Sequence, residues 1–383
     1  MPVGAAAMRT GSVSGMAAPD AAMITRVARA ALGDPRAEVA SWDGAPLSWL
    51  AIAPTTAEVV RYSGTSADGR PWSAILKVLR RPETGSTADW RREADVYASG
   101  FLESLPPGIT APRVYAIDDA DNQVSLWLED VAESVSAWPL DRYAVAARDL
   151  GRFNGAYLAG RAKPDAPSLR SDWLAGWLAM TGESGAEALE DPGVTDHEFV
   201  RRAVPRADLD RVRALYGQRA RLLAALERLP PTVSHLDAWR ANLIARDTAG
   251  RTETVAIDWS LLGLAPVGQE IAVFVTGPRL WLSLKPADAD AIGELSFASY
   301  LDGLRRAGWL GAEADVRFAY AASAALWAGI PAPLWLRWFT LPARREWLER
   351  KFGMPLEDAA EPFGRFIGFA LDLADEALAD PRA

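Results

Sequence analysis

The spacing of apolar residues changes character near Asp130. Before that point, short runs rich in β-branched and aromatic residues predict β-strands separated by turns. These runs cover 47–53, 58–64, 72–79, 113–118 and 123–129. Two helices are predicted among them: one spans 23–32, and one begins near Ser86 or Thr87 and ends at Gly100. This part of the chain is therefore predicted to form an antiparallel meander accompanied by helices.

Beyond Asp130 the apolar residues mostly follow a helical period. Long helices are predicted over 141–159, 208–229 and much of 286–380. Short strand-like runs lie between them, at 232–237, 242–247 and 254–259. Residues 161–205, which contain several prolines and acidic residues, are predicted to be an inserted excursion.

Together these patterns predict an α+β fold with two lobes. A flexible tail at 1–22 precedes a small N-lobe at 23–130, whose sheet is antiparallel, and a larger, mainly helical C-lobe at 131–383. A chain of 383 residues is too long for one ordinary core, which agrees with two lobes.

Composition excludes several classes of function. The chain has no cysteine, so disulfides and thiolate metal sites are excluded and a cytoplasmic location is expected. The net charge is −9 and no concentrated basic run is present, which argues against a nucleic-acid partner. No apolar stretch reaches the length of roughly 18 residues that a membrane span needs. The expected partner is a small molecule, and the expected state is a monomer or homodimer.

The basic residues are almost all arginines. The exceptions are Lys77, Lys163, Lys285 and Lys351. Lysine and arginine are not interchangeable at a compact charge site, so each of these lysines is a candidate for a specific role.

The strongest chemical signal is the motif His235-x-Asp237-x-x-x-x-Asn242. The chain has only two histidines, and this spacing has a chance probability of roughly one in a thousand. Further along, an apolar strand ends at Asp258. The turn between the two strand-like runs is expected to bring Asn242 and Asp258 together.

This set of residues suits phosphoryl transfer. Asp237 would orient and deprotonate an acceptor hydroxyl, and His235 would brace the loop. Magnesium prefers oxygen ligands and keeps several waters, so Asn242 and Asp258 would suffice together with phosphate oxygens. The alternative is that these polar residues only cap turns, as isolated Asp and Asn often do.

Lys77 lies in an apolar run that should be largely buried, where it needs an anionic partner. Glu93, on the inward face of the following helix, can supply one. A lysine bridged to a helix carboxylate can reach nucleotide phosphates. The alternatives are a structural ion pair or a lysine whose amine extends to solvent.

Over roughly residues 45–275 these motifs resemble the aminoglycoside phosphotransferase and choline kinase superfamily, the small-molecule branch of the protein-kinase-like fold. The resemblance implies a bilobal protein-kinase-like fold, with nucleotide bound by the N-lobe and the catalytic loop and acceptor site in the C-lobe. It implies that Lys77 lies on the third strand and Glu93 on the helix of the small lobe. The backbone of a hinge would meet adenine, and its residues are Leu128, Glu129 and Asp130.

The resemblance also places Asp237 and Asn242 in the catalytic loop and Asp258 at the metal-binding aspartate. Glu270, in the following helix, matches the acidic residue that anchors this loop from beneath. The implied cofactors are ATP or GTP and Mg²⁺. Three positions depart from the family pattern: Leu236 replaces a frequent glycine, the turn at 54–57 lacks glycine, and Ser260 stands where many relatives carry an acid.

The acceptor is expected to be a hydroxyl-bearing small molecule such as an antibiotic, a sugar or an amino alcohol. A proline-broken turn at 330–338 is predicted to line its pocket with Trp335, Arg337 and Trp338. That mixture favours a neutral or partly apolar compound over a polycationic aminoglycoside. Two other functions are compatible with parts of the pattern: a nucleotide-binding pseudokinase scaffold and a metal-dependent hydrolase.

Overall fold

The computed structural model describes residues 19–47, 55–83, 90–163, 169–248 and 250–383. Most of the predicted tail at 1–22, most of the predicted strand at 47–53 and the predicted helix start near Ser86 lie outside these residues. None of the helices in the described ranges has the length and apolar character needed to cross a bilayer.

The strands, in chain order, are β1 (Val39–Pro46), β2 (Thr56–Ser66), β3 (Pro71–Arg80), β4 (Ile109–Thr110), β5 (Val114–Ala120), β6 (Gln123–Glu129), β7 (Pro231–Ser234), β8 (Leu243–Thr248), β9 (Arg251–Ala256) and β10 (Gly263–Pro266). The helices are α1 (Ala21–Leu32), α2 (Arg92–Ala98), α3 (Leu140–Leu158), α4 (Trp173–Glu190), α5 (Pro192–Thr195), α6 (Glu198–Ala203), α7 (Arg206–Leu226), α8 (Gln269–Leu280), α9 (Pro286–Arg306), α10 (Glu313–Ala324), α11 (Ala332–Thr340), α12 (Arg345–Phe352) and α13 (Ala360–Ala379).

The chain divides into two compact units. One contains the described residues up to Glu103 together with Ala111–Ala132, and the other contains Ser104–Thr110 and Glu133–Ala383. The first unit is built around an antiparallel sheet and the second is mainly helical, so the predicted α+β class is confirmed.

The first unit is a five-stranded antiparallel sheet in the order β1-β2-β3-β6-β5. Successive side chains of a strand point to opposite faces. On β3 the alternate residues Trp72, Ala74, Leu76 and Val78 are buried in a core that α1 completes. Lys77, between two of these residues, therefore lies on the face of the sheet opposite to α1.

In the second unit, the long helices α3 and α9 pack at very short range. A Cβ atom on Gly303 would lie 2.1 Å from the carbonyl oxygen of Arg148, so only glycine permits this contact. Helix α8 is buried along its whole length. Two small sheets lie beside these helices: β7 pairs with β10, and β9 pairs with both β8 and β4.

One segment is predicted only as an insertion, and the prediction of a turn in a second segment is wrong. The described part of the predicted excursion at 161–205 forms the helices α4, α5 and α6, and α4 packs against α11. The predicted proline-broken turn at 330–338 is mostly helix α11, which follows a π-helical turn at Ala325–Gly329. Pro331 and Pro333 stand at the start of α11, where a missing N–H costs little because the first N–H groups of a helix have no intrahelical partner.

Candidate active site

The ring of His235 ties two segments of the second unit together. Its side chain is fully buried, its Nε2 lies 3.0 Å from the carbonyl oxygen of Ile257, and the N–H of Asp237 donates to its Nδ1 at 3.2 Å. Because Nδ1 accepts a hydrogen bond, the ring proton is assigned to Nε2, which donates to Ile257. Both ring nitrogens are thus engaged, and they hold the ring between Ile257 and Asp237.

Asp237 and Asn242 are held by each other. The Nδ2 of Asn242 donates to the Oδ2 of Asp237 at 2.6 Å and to its main-chain oxygen at 3.0 Å. Both side chains are half-buried. This orientation directs the amide N–H₂ of Asn242 to Asp237, so the amide oxygen, the atom that magnesium prefers, is directed elsewhere.

Asp258 is held beside Asn242 through its neighbour Ile257. The N–H of Ile257 donates to the main-chain oxygen of Asn242 at 2.9 Å, and its carbonyl accepts the bond from His235. Asp258 has a left-handed backbone with φ of 61°, a conformation that aspartate tolerates better than most residues. The hydroxyl of Ser260 donates to its Oδ1 at 3.0 Å. Ser260, which departs from the family pattern, therefore orients the carboxylate of Asp258.

A buried carboxylate of α8 holds the segment that carries the His235–Asn242 motif, which is the predicted catalytic loop. Glu270 accepts the N–H of His235 at 2.6 Å and the N–H of Leu236 at 3.0 Å, using one oxygen for each. Burial raises the pKa of Glu270 to about 7, although the two N–H donors oppose this shift. Asn154 and Tyr300 extend the network, because the hydroxyl of Tyr300 donates to the amide oxygen of Asn154 at 2.6 Å.

Leu236, at the position where the family pattern often has glycine, has a left-handed backbone conformation. Its φ is 67° and its side chain is fully buried. A left-handed conformation costs a residue with a Cβ atom about 1–2 kcal/mol. Burial of the leucine side chain and the bond from its N–H to Glu270 offset this cost, so the loop accommodates a leucine in this conformation.

The first unit contains the predicted ion pair. The Nζ of Lys77 lies 2.6 Å from the Oε2 of Glu93, and the two side chains are only 12% and 2% exposed. Burial of both groups makes the pair far less screened than a surface salt bridge. The strand β3 and the helix α2 thus hold an ammonium group and a carboxylate together at a fixed position.

The predicted hinge residues lie at the end of β6. Leu128 is buried, Glu129 forms an ion pair with Arg113 at 3.3 Å, and the Asp130 carboxylate lies 2.9 Å from Arg61. Both carboxylates are therefore engaged by arginines of the first unit.

Five tryptophans form a continuous series of ring contacts that begins in the catalytic loop. We call this series the tryptophan cluster, and it consists of Trp239, Trp281, Trp335, Trp338 and Trp347. Successive ring centroids are 6.2, 5.7, 4.5 and 5.9 Å apart. At its first member the backbone of α8 approaches closely, because a Cβ atom on Gly277 would lie 2.7 Å from the Cβ of Trp239.

The cluster includes two of the three predicted acceptor residues. Trp335 is 7% exposed and Trp338 is half-buried. Arg337 has another environment, because its guanidinium lies 3.6 Å from Glu187 and 3.4 Å from Asp191. Sequence reasoning missed Trp239 and Trp281. Trp239 lies within the motif, at one of the positions where the motif allows any residue. Its place in the motif was the only feature of the sequence that could have marked it.

In the described part of the chain, no group of three or more His, Asp or Glu side chains is arranged to hold a metal by itself. Asn242 and Asp258 supply one amide oxygen and one carboxylate, an incomplete set that suits magnesium only when other oxygens join it. Nucleotide phosphates are the usual source of such oxygens.

The sequence model of the phosphotransferase enzyme family matches residues 68–310. Among solved structures, a microcompartment-associated aminopropanol kinase is 15% identical, with a TM-score of 0.53 over 94% of this chain and 99% of that one. The amicoumacin kinase hAmiN, solved with AMP-PNP, Ca²⁺ and Ami, is 15% identical, with a TM-score of 0.51 over 90% of this chain and 95% of that one. Choline kinase from Cryptosporidium parvum is 11% identical, with a TM-score of 0.51 over 94% and 96% of the two chains.

At such low identity these likenesses show a shared fold. No curated protein matches the sequence significantly. The family match covers more than half of the chain and includes both Lys77 and the catalytic loop. The chain therefore belongs to the phosphotransferase enzyme family, the superfamily of small-molecule kinases that includes aminoglycoside phosphotransferases and choline kinases.

Proposed function

We propose that this protein transfers the γ-phosphoryl group of ATP or GTP to a hydroxyl group of a small molecule, with Asp237 as the catalytic base. The observation that carries the proposal is the mutual arrangement of Asp237, Asn242 and Asp258. The side chain of Asn242 donates directly to Asp237. Asp258 follows Ile257, whose main chain is hydrogen-bonded to both Asn242 and His235.

In this mechanism the acceptor hydroxyl gives its proton to the Asp237 carboxylate. The acceptor oxygen forms a bond to the γ-phosphorus, and the bond from that phosphorus to the oxygen that bridges it to the β-phosphate breaks, so the nucleoside diphosphate leaves. Asn242 and Asp258 would hold magnesium, which would supply the positive charge that neutralises the phosphates. Its ligands fit because one is an amide oxygen kept away from Asp237 and the other is a carboxylate oriented by Ser260.

The first unit would bind the nucleotide. Lys77, fixed by Glu93, offers a compact ammonium group to phosphate oxygens. The main chain of Leu128, Glu129 and Asp130 would meet adenine, since the carboxylates there are already paired with arginines. This division of roles assigns nucleotide binding to 23–130 and the catalytic loop and acceptor site to 131–383.

The tryptophan cluster would form one wall of the acceptor site. It reaches the catalytic loop at Trp239, and the main-chain N–H of that residue donates to the main-chain oxygen of Asp237 at 2.9 Å. Indole faces offer an apolar stacking surface, and ligand pockets are mostly apolar with a few polar groups. A neutral or partly apolar acceptor therefore fits better than a polycationic aminoglycoside. The lack of cysteine fits a reducing cytoplasm.

A screen of hydroxyl compounds tests this proposal. Antibiotics, sugars, amino alcohols and hydroxy acids are each incubated with Mg²⁺ and either ATP or GTP, and mass spectrometry reports the gain of one phosphoryl group. We expect transfer to at least one compound and its loss when EDTA removes the metal. Nucleotide binding with no turnover on any compound would indicate a scaffold, and hydrolysis that no acceptor stimulates would indicate a hydrolase.

A further inference from the structure

Two cationic side chains lie against the tryptophan cluster. The Nζ of Lys351, on α12, is 4.5 Å from the ring centroid of Trp281 and 5.8 Å from that of Trp239. The guanidinium of Arg344, just before α12, is 4.0 Å from the ring centroid of Trp338. Both cations are half-buried, so each has lost part of its hydration.

Within the described ranges, neither cation has a carboxylate within 4.0 Å. Their neighbours on the same helix differ in this respect. Arg350 forms an ion pair with Glu346, and Arg345 forms one with Glu349 at 3.0 Å. The exposed arginines of α12 are thus paired with carboxylates. Among the described residues, the positive charges of Arg344 and Lys351, at the tryptophan cluster, are not neutralised in this way.

The energies favour an anionic ligand at this place. An indole face attracts a cation, but it replaces only part of the hydration that a half-buried charge has lost. Burial lowers the pKa of Lys351, because it disfavours the charged form of the amine. An anion beside the amine would restore the balance. A second cation would be repelled, and Lys351 already covers the ring of Trp281.

We propose that the acceptor is an apolar hydroxy acid, whose carboxylate binds Lys351 while its apolar part lies on the tryptophan cluster. This inference rests on the proposed function, since it assigns the substrate class of the same site. Arg344 adds positive potential beside the ring of Trp338 and strengthens the preference for an anion. An acid bound to Lys351 would lie close to the catalytic loop. The ring of Trp239 is 5.8 Å from the Lys351 amine, and its main-chain N–H donates to the main-chain oxygen of Asp237.

The test uses three matched probes that share a hydroxyl and a phenyl group: 3-phenyllactate, its neutral amide, and 1-amino-3-phenylpropan-2-ol. Binding to the full-length protein without nucleotide is measured by calorimetry and by quenching of tryptophan fluorescence. We expect the carboxylate to bind about 10- to 100-fold more tightly than the amide, since a charge-assisted contact distinguishes them. The amine should bind most weakly.

Variants locate the effect. Lys351→Met keeps the length of the side chain and should remove the preference for the carboxylate, whereas Lys351→Arg should keep most of it. Lys285→Met, at an exposed lysine before α9, is the matched control and should bind as the parent does.

Several outcomes would overturn the inference: a preference for the amine, equal affinities for the three probes, no binding of the carboxylate at millimolar concentration, or unchanged selectivity in Lys351→Met. Binding without nucleotide does not depend on catalysis. Selective binding without phosphoryl transfer to any compound would therefore refute the proposed function and leave the anion site standing.

Discussion

Glu270→Gln tests the carboxylate that holds the catalytic loop. The change preserves the shape of the side chain but replaces one acceptor oxygen with an N–H₂ donor. In the parent, each oxygen accepts a main-chain N–H, one from His235 and one from Leu236. In the variant, the new amide N–H₂ must face the main-chain N–H of either His235 or Leu236, and two donors cannot form a hydrogen bond. The segment that precedes Asp237 therefore has to shift.

The pH dependence of the free energy of unfolding shows how much Glu270 contributes to stability. The pKa of Glu270 is raised to about 7 in the folded protein, whereas a free glutamate titrates near about 4.3. Between these two values the folded state binds more protons than the unfolded state, so the free energy of unfolding falls as pH rises. The total decrease attributable to Glu270 is about 3–4 kcal/mol, and it is nearly complete by about pH 8.

Activity should respond in the opposite direction. Below about pH 7 the carboxyl of Glu270 is protonated, and its O–H then faces one of the two main-chain donors. The catalytic loop loses an acceptor, so turnover should fall in the range where the parent becomes more stable.

The assay is urea unfolding, followed by tryptophan fluorescence from about pH 5 to about pH 8.5. Burial also raises the pKa of Asp149, to about 6, and this contribution is common to both proteins. The difference between parent and variant therefore isolates Glu270. Glu190→Gln, at an exposed carboxylate on α4, is the control and should keep the parental pH profile. Parallel profiles for the parent and Glu270→Gln would refute the reasoning.

Three further changes probe the metal, the nucleotide and the acceptor. Asp258→Ala should weaken the binding of Mg²⁺-nucleotide by calorimetry, since it removes a proposed metal ligand; unchanged affinity would mean that another residue holds the metal. Lys77→Arg should lower turnover strongly, because a planar guanidinium cannot replace a compact ammonium between Glu93 and phosphate; full activity would favour a purely structural ion pair. Trp338→Ala should raise the acceptor KM several-fold and leave the nucleotide KM unchanged, because a stacked indole contributes about 1 kcal/mol or more; equal changes in both constants would argue against an acceptor wall.

The sequence predicted the elements whose burial follows a simple period. Strand β3 alternates buried and less buried residues, and its Lys77 was expected to need a partner because the run around it is apolar. The motif around Asp237 was found because its spacing is rare by chance. These features depend on local order along the chain, which a sequence displays directly.

Other elements could not be predicted because their stability comes from distant contacts. Strand β1 is exposed or half-buried along its length, so no apolar alternation marks it, and its hydrogen bonds to β2 define it. Helix α11 was taken for a turn because proline usually breaks helices, yet its prolines stand in the first turn. The tryptophan cluster joins the catalytic loop, the end of α8, α11 and α12, and no local pattern connects these segments.

The central claim is that Asp237 is the base of a phosphoryl transfer. Single-turnover transfer to the acceptor found in the screen, measured for the parent, Asp237→Ala and the exposed control Asp247→Ala, tests it most directly. We predict that Asp237→Ala lowers the rate about 10²- to 10⁴-fold and still binds Mg²⁺-nucleotide, while Asp247→Ala retains the parental rate. A rate for Asp237→Ala near that of the parent would contradict the account.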